Sequence, residues 1–479
     1  MSYKDESLDL TDIGIGEVIA GQHGDALRYI ASADQWLTWN ERDRRWRDDD
    51  VLERYELAKV TADTLMDAAD NVEDDKARKA AVAAAIKARA WGRMTSALSC
   101  ASTLPRIASR REWWDADPYL LHTASGIVDL RSGRVREATT DDLMRISTGV
   151  KVEGECPRWE RFLGEIFCGD AELMEYVRIC CGMSLFGDQR DHVALFCLGI
   201  GSNGKSTFLG TLRSVLGEHA RLAVANLISW KANEGHSTDS AHLFGARMVC
   251  VDEVKASALD ESKIKRLTGG GEMTARFMHS NNVTERLKMT LWIDGNAAPK
   301  IVGTDKGIWR RIKVIPFKAH FDPESADCDK NLPETLRAEA PGILAWCVRA
   351  ARDYLRDGLP HCAAVTHAVA EYQRDQDVLA EWLEICCDVS PSVDETSAQL
   401  WYSCQMYLER AGLDRGWHQR RMTEELKRRG IAEPIRKEGA RRLRGLCLVP
   451  NWREELNKMI GIDGDGPRPL TRTAVNWND

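Results

Sequence analysis

Gly199 to Thr207 read G-I-G-S-N-G-K-S-T, a glycine followed after four residues by Gly204-Lys205-Ser206. Residues of these types at this spacing can cradle a chain of phosphates. Glycine has no Cβ, so backbone N–H groups can curl round the oxygens. Lys205 would reach the β- and γ-phosphates, and the Ser206 hydroxyl would hold Mg²⁺. Gly199, Gly201, Asn203, Gly204, Lys205, Ser206 and Thr207 are therefore the candidate nucleotide-binding residues.

A cradle alone hydrolyses nothing. Met248-Val-Cys-Val-Asp-Glu253 is an apolar run that ends in two acids. Asp252 would hold Mg²⁺, directly or through water, and Glu253 would polarise the attacking water as general base. Asn296 closes a later apolar run, Trp292-Ile-Asp-Gly-Asn296, where an amide would orient that water. Arg310 and Arg311 follow. A guanidinium would neutralise charge building on the transferred phosphoryl group. Supplied by a neighbouring subunit, it would couple hydrolysis to assembly.

These residues need a scaffold, and the apolar pattern predicts one. His192-Val-Ala-Leu-Phe-Cys-Leu198 suits a buried parallel strand running into the loop. Leu209, Leu212, Val215 and Leu216 recur at helical spacing after it, and Gly217 suits a C-cap. Further strands are expected at Met248–Val251, Thr290–Ile293 and Ile312–Phe317. Strands alternating with helices predict an α/β domain with a mainly parallel sheet over 186–325.

Upstream, residues 1–185 predict a mixed α+β domain. It opens with a helix and a Trp-rich hairpin that carries Trp36, Trp39 and Trp46 around the turn Asn40–Asp43. Asp48-Asp49-Asp50 reads as a turn into a helix rather than as a metal site. Helix is expected over 51–99, short strands and turns over 113–148, and helix again from Pro157. Downstream, 326–389 reads as helical. Residues 390–452 read as helix (396–411), helix (423–429) and a hairpin turning at Glu438-Gly439, the order of a winged helix. Residues 453–479 are expected to be a loose tail.

The chain has 479 residues, enough for two to four domains. Its start has no signal-peptide apolar region, and no apolar run approaches a membrane span. Fourteen cysteines include the neighbours Cys180-Cys181 and Cys386-Cys387 but no Cys-x-x-Cys, which fits buried free thiols in a reducing cytoplasm better than zinc. Net charge is −8, yet Arg415–Arg444 holds eleven Lys/Arg and four Glu. That segment is +7 and the rest −15, a local basic face on an acidic body, as for a nucleic-acid contact at one place. Arg420, Arg421, Arg428, Arg441 and Arg442 are its candidate DNA contacts.

Taken in order, the motifs resemble the phage and plasmid primase–helicase family, whose motor belongs to superfamily 3 of the AAA+ class. The motor motifs are Gly199–Thr207, Leu243-Phe-Gly-Ala-Arg-Met-Val249, Asp252-Glu253, Leu267-Thr-Gly-Gly-Gly-Glu272, Ala275-Arg276, Asn296, Pro299 and Trp309-Arg-Arg-Ile312 through Phe317. Trp114-Asp115, Leu120-Leu121, Gly126–Leu130, Gly133 and Pro157-Arg-Trp159 are similar to the family's amino-terminal helicase-associated domain. The resemblance implies an AAA+ P-loop NTPase core flanked by the α+β and winged-helix-like domains. It further implies ATP and Mg²⁺ as cofactors and a hexameric ring moving 3′ to 5′ on DNA. A hairpin over Met273–Leu291 would grip the strand in the channel, with Arg276 and His279, then Lys288, as phosphate contacts.

Many such proteins carry a primase–polymerase domain ahead of the motor. This chain begins almost at the helicase-associated region, so priming is expected from a separate protein. The expected function is replicative DNA unwinding for a phage, plasmid or integrated element in a bacterial cytoplasm. The alternative is an ATP-gated initiator that distorts origin DNA without processive unwinding. A small-molecule kinase is disfavoured by Asp252-Glu253 occurring with Asn296 and Arg310-Arg311.

Overall fold

The structure, a computed structural model, describes residues 9–229, 241–252, 259–276, 282–296, 298–301, 306–322, 329–410, 417–437 and 439–460. The chain divides into two compact units. The first holds residues 1–255, 262–297 and 310–366, and the second 256–261, 298–309 and 367–479.

The first unit opens with α1 (Asp12–His23), started by the Thr11 hydroxyl accepting the Gly14 N–H. Strands β1 (Leu27–Ile30), β2 (Gln35–Asn40), β3 (Arg45–Asp48) and β4 (Ala108–Ser109) form a sheet in the order β3-β2-β1-β4. The Trp-rich hairpin is β2–β3. Trp39 faces Trp46 across it, rings edge-on at 5.8 Å. Strand β1 was not expected, because Leu-Arg-Tyr-Ile is too short to show an alternation. Asp49 closes the expected turn: its carboxylate accepts the Glu53 N–H and the Arg54 guanidinium, each at 2.5 Å. The helices α2 (Glu53–Asp70), α3 (Asp75–Ala88) and α4 (Trp91–Ala101) follow. A small antiparallel sheet, β5 (Leu120–Thr123), β6 (Gly126–Asp129) and β7 (Arg134–Arg136), leads to α5 (Pro157–Ile166) and α6 (Ala171–Met183).

Next come β8 (Ala194–Leu198), α7 (Lys205–Leu216), β9 (Ala220–Ala223) and β10 (Met248–Val251). The hairpin β11 (Glu272–Arg276) and β12 (Asn282–Arg286) precedes β13 (Thr290–Gly295) and β14 (Ile312–Pro316). Five of these strands form a wholly parallel sheet in the order β14-β8-β13-β10-β9. The runs Ala-Leu-Phe-Cys-Leu and Met-Val-Cys-Val are buried almost throughout, as strands covered on both faces must be. Connections leave β8 toward one side of the sheet and return to β14 on the other. In open α/β sheets, ligands bind beyond the carboxyl ends of the strands at such a reversal.

Helix α7 is held by its own apolar stripe. Phe208 is fully buried, stacked on Trp159 of α5 at 5.5 Å and packed against Trp292 of β13 and Phe317 beyond β14. All thirteen cysteines among the described residues are free, and ten are buried. Burial pushes the thiols of Cys180, Cys181 and Cys347 up, so they stay protonated and unreactive.

The second unit has its own core, built on Trp382, Leu400, Leu426, Leu443 and Leu446. Its sheet runs β15 (Cys387–Thr396), β17 (Ala440–Leu448), β16 (Glu433–Lys437). Helices Ser397–Arg410 and Gln419–Arg428 precede the β16–β17 hairpin, the expected order of elements. Two features differ from expectation. Strand β15 lies where no strand was foreseen, since Pro391 and an irregular register after Val389 hide its alternation. Pro450–Ile460 is a helix, so the tail expected from 453 is helical in its first residues. Buried Leu456 and the Trp452 indole, donating to Ser403 Oγ at 2.6 Å, tie it to the core. No helix among the described residues is long and apolar enough to cross a membrane.

Phe208→Ala would leave a cavity among the rings of Trp159, Phe167, Trp292 and Phe317, and Phe→Ala changes in cores cost about 3–5 kcal/mol. The expected result is a loss of that size in denaturant unfolding of the chain. A loss under 1 kcal/mol would show that Phe208 does not fix α7.

Candidate nucleotide-binding site

The loop leaves β8 at Leu198 and enters α7 at Lys205. Two of its glycines are dictated by space. A Cβ on Gly199 would stand 2.2 Å from the Phe317 carbonyl oxygen, and one on Gly204 2.5 Å from Ile166 Cγ2. Gly204 also has φ +84°, and Ser202, two residues earlier, is left-handed at +57°, a cost for a residue with a side chain. Gly201 meets nothing within 4 Å.

Asn203 is buried and staples the loop. Its Nδ2 donates to the Ile200 carbonyl at 3.0 Å, and its Oδ1 accepts the Lys205 backbone N–H at 3.3 Å. The Lys205 ammonium donates to Gly199 O (2.6 Å), Asn203 Oδ1 (3.3 Å) and Asn296 Oδ1 (3.2 Å). That uses all three of its donors on neutral oxygens. Burial pulls its pKa below the ordinary lysine value, against the opposing charge of Asp294. Asp294 was not singled out from the sequence; its place two residues before Asn296 at a strand end was the available signal.

Strand register assembles the rest. Gly295 pairs with Leu198, so Asn296 lies beside the start of the loop. Val251 pairs with Ile293, so Asp252, one step further, adjoins Asp294 at about the 4.8 Å strand spacing. Asp252 and Ser206 are both exposed. A hydroxyl and a carboxylate are hard oxygen donors suited to Mg²⁺, which usually takes one or two carboxylates, phosphate oxygens and water. Among the described residues no three His, Cys, Asp or Glu gather round a metal position. Thr207 is half-buried on α7, and Glu253 lies outside the described residues.

Arg310 and Arg311 are not brought to this cluster. They precede β14, and the Arg311 carbonyl accepts the N–H of Ala194, the first residue of β8. Loop and arginines thus lie at opposite edges of the sheet, about 13 Å apart along β8. The two arginines also differ. Arg310 is exposed, whereas Arg311 donates to Thr268 Oγ1 at 3.0 Å and His192 O at 3.5 Å. Burial, then the charge of Arg310, lowers the Arg311 pKa.

The β11–β12 hairpin rises from the arginine edge. Thr268 ends the helix Glu261–Thr268, and Arg286 Nε donates to Gly270 O at 3.2 Å at the hairpin base. Arg276 pairs with Asn282 at the far end of the ladder, Lys288 is exposed beyond β12, and His279 lies outside the described residues. In the second unit, most candidate DNA contacts already have partners. Arg420 pairs with Glu424, Arg428 with Glu425 and Arg442 with Asp394, while the Arg421 guanidinium lies 4.5 Å from the Trp417 ring centre. Arg441 is exposed and directly opposite Arg436 across the hairpin.

Residues 16–168 match the family described as D5 N terminal like, and residues 197–311 match a family of unknown function, DUF5906. "Putative helicase L207/L206" of Acanthamoeba polyphaga mimivirus is 26% identical over 292 residues, 56% of this chain and 30% of that protein. "Putative primase C962R" of African swine fever virus is 26% identical over 175 residues, 35% of this chain and 18% of that protein. The matches thus span less than a third of these curated relatives. The solved structure "The A form apo structure of NrS-1 C terminal region-CTR" is 10% identical, with a TM-score of 0.49 over 92% of this chain and 100% of that one.

The loop geometry yields a paired test. Gly204→Ala, forced against Ile166 at positive φ, is expected to destabilise the chain by about 1–3 kcal/mol. Gly201→Ala, in open space, should change stability by no more than about 0.5 kcal/mol. Equal unfolding midpoints for the two variants would show that the loop is not closed in as described.

Proposed function

We propose that this chain is an ATP-dependent DNA helicase of replication, a superfamily 3 AAA+ motor acting as a ring, in that family a hexamer. One observation carries the reading: Arg310 stands a strand's length from Lys205, at the edge where the hairpin is rooted. An arginine that serves phosphoryl transfer yet lies that far from its own loop has to serve the loop of a neighbour. The motor is then complete only between subunits. The viral relatives named putative helicase and putative primase support a replication role.

Bound ATP would supply the cleavable γ-phosphoryl group. Lys205 would exchange its neutral oxygen partners for phosphate oxygens, and Ser206 with Asp252 would hold Mg²⁺. Asn296, already at the Lys205 ammonium, would orient the attacking water, and Glu253 would take its proton. Arg310 would complete the pocket of the next subunit, while Arg311, fastened to Thr268, would tie that interface to the hairpin base. Arg276 and His279 on the hairpin would follow the DNA backbone. The helix, helix, hairpin order of the second unit supports a winged-helix-like DNA contact there, with Arg441 on the hairpin.

Lys205→Ala is expected to abolish ATP hydrolysis, and Arg310→Ala to lower it by about 10³-fold or more. Mixed together, the two inactive variants should recover activity, since an Arg310→Ala loop can meet a Lys205→Ala arginine. No recovery at any ratio would confine Arg310 to its own chain. Strand displacement on a forked duplex should require ATP. Melting of the fork with a non-hydrolysable analogue alone would favour the initiator.

A further inference from the structure

We infer that Trp113, in the amino-terminal part of the first unit, is a stacking platform for a base of single-stranded DNA entering or leaving the hairpin. The inference rests on the helicase reading, but not on any residue of the nucleotide site. Trp113 ends a single 3-10 turn, Arg111–Trp113, and is 49% exposed. Its neighbour Trp114 is the reverse. It is buried against Trp46 with ring centres 5.6 Å apart, and its indole N–H donates to Ser109 Oγ at 3.2 Å.

Asp115 then takes a left-handed conformation, φ +48°, fixed by its carboxylate accepting the N–H groups of Arg145 and Ile146 at 3.1 and 3.2 Å. A turn clamped on its inner side therefore holds a large aromatic ring outward. Chain mobility does not account for that exposure.

Two further observations specify the ligand. The exposed Arg110 places its guanidinium 6.0 Å from the centre of the Trp113 ring, so an aromatic plane and an exposed cation share one spot. Arg111, two residues before Trp113, pairs with Glu285 of β12 at 3.4 Å, which fastens the turn to the hairpin expected to hold the DNA backbone. Backbone contacts leave the bases of a single strand unstacked, and base–aromatic stacking with an adjacent arginine is how sequence-tolerant binders recover that energy. Trp91 is also exposed, but one face of its ring is taken by Tyr55, stacked at 4.1 Å.

The test uses the full chain with a non-hydrolysable ATP analogue and two oligonucleotides of equal length, oligo-dT and an abasic strand. Trp113→Ala is expected to weaken oligo-dT binding by about 5- to 150-fold, the range for one stacked base. Binding of the abasic strand should be unchanged, and Trp113→Phe should retain most of the oligo-dT affinity. Unaltered oligo-dT binding by Trp113→Ala would overturn the inference. So would an equal loss on both strands, or a change in subunit association alone, which would make the ring a protein contact. If the wild-type chain bound neither strand, the helicase reading itself would fall.

Discussion

The close approach of backbone at the end of β8 constrains everything around it. Gly199 lies against the Phe317 carbonyl and Gly204 under Ile166, so packing shapes the loop from two directions. That packing works only if α7 is fixed, and α7 is fixed by Phe208 among Trp159, Trp292 and Phe317. Lys205 and Phe208 are three residues apart and share a helix face, so burial of the ring aims the base of the lysine inward. The same aromatic cluster joins α5, β13 and the exit of β14. The phosphate loop, the strand carrying Asn296 and the strand following the arginines are thereby set by one piece of packing.

The parallel sheet then separates two kinds of work. Its carboxyl edge gathers Lys205, Asp252, Asp294 and Asn296, groups suited to phosphate and metal. Its amino edge holds Arg310, Arg311, Thr268 and the hairpin root. Buried strands of four to six residues connect the edges and compress little, because interiors are packed like crystals. At the amino edge, the Arg311 hydrogen bond to Thr268 links the residue before β14 to the helix before the hairpin.

Much of this was legible in the sequence because the signals are local. Continuous apolar runs gave the central strands, the glycine spacing gave the loop, and helical periodicity gave α7. The features that were not legible depend on partners far away in the chain. Strand β1 is defined by pairing with β2 and β4 rather than by alternation. The register of strand β15 shifts between Val389 and Asp394, and the helix Pro450–Ile460 needs Ser403 to show why Trp452 is there. In the site, Asp294 was overlooked because an acid at a strand end is common, and only the register places it beside Lys205 and Asp252. The opposite edges occupied by Lys205 and Arg310 follow from all strands being parallel, which the pattern suggested but the spacing alone could not resolve.

The basic stretch Arg415–Arg444 shows why a count of charges is not a surface. Its formal +7 counts only charges within the segment. The fold adds Asp394, shared by Arg442 and Lys437, and Asp377, which joins Glu425 in binding Arg429. Charges paired in this way have little positive field left to offer. The opposite holds at the hairpin, where Arg436 and Arg441 are exposed and face one another across the two strands. Like charges directly opposite in a sheet are destabilising. An anion between them would turn that repulsion into attraction for both. On the DNA-binding reading, the phosphate contact of the second unit therefore belongs at the tip of this hairpin rather than along the helix Gln419–Arg428. It would read backbone rather than sequence and would weaken steeply with salt.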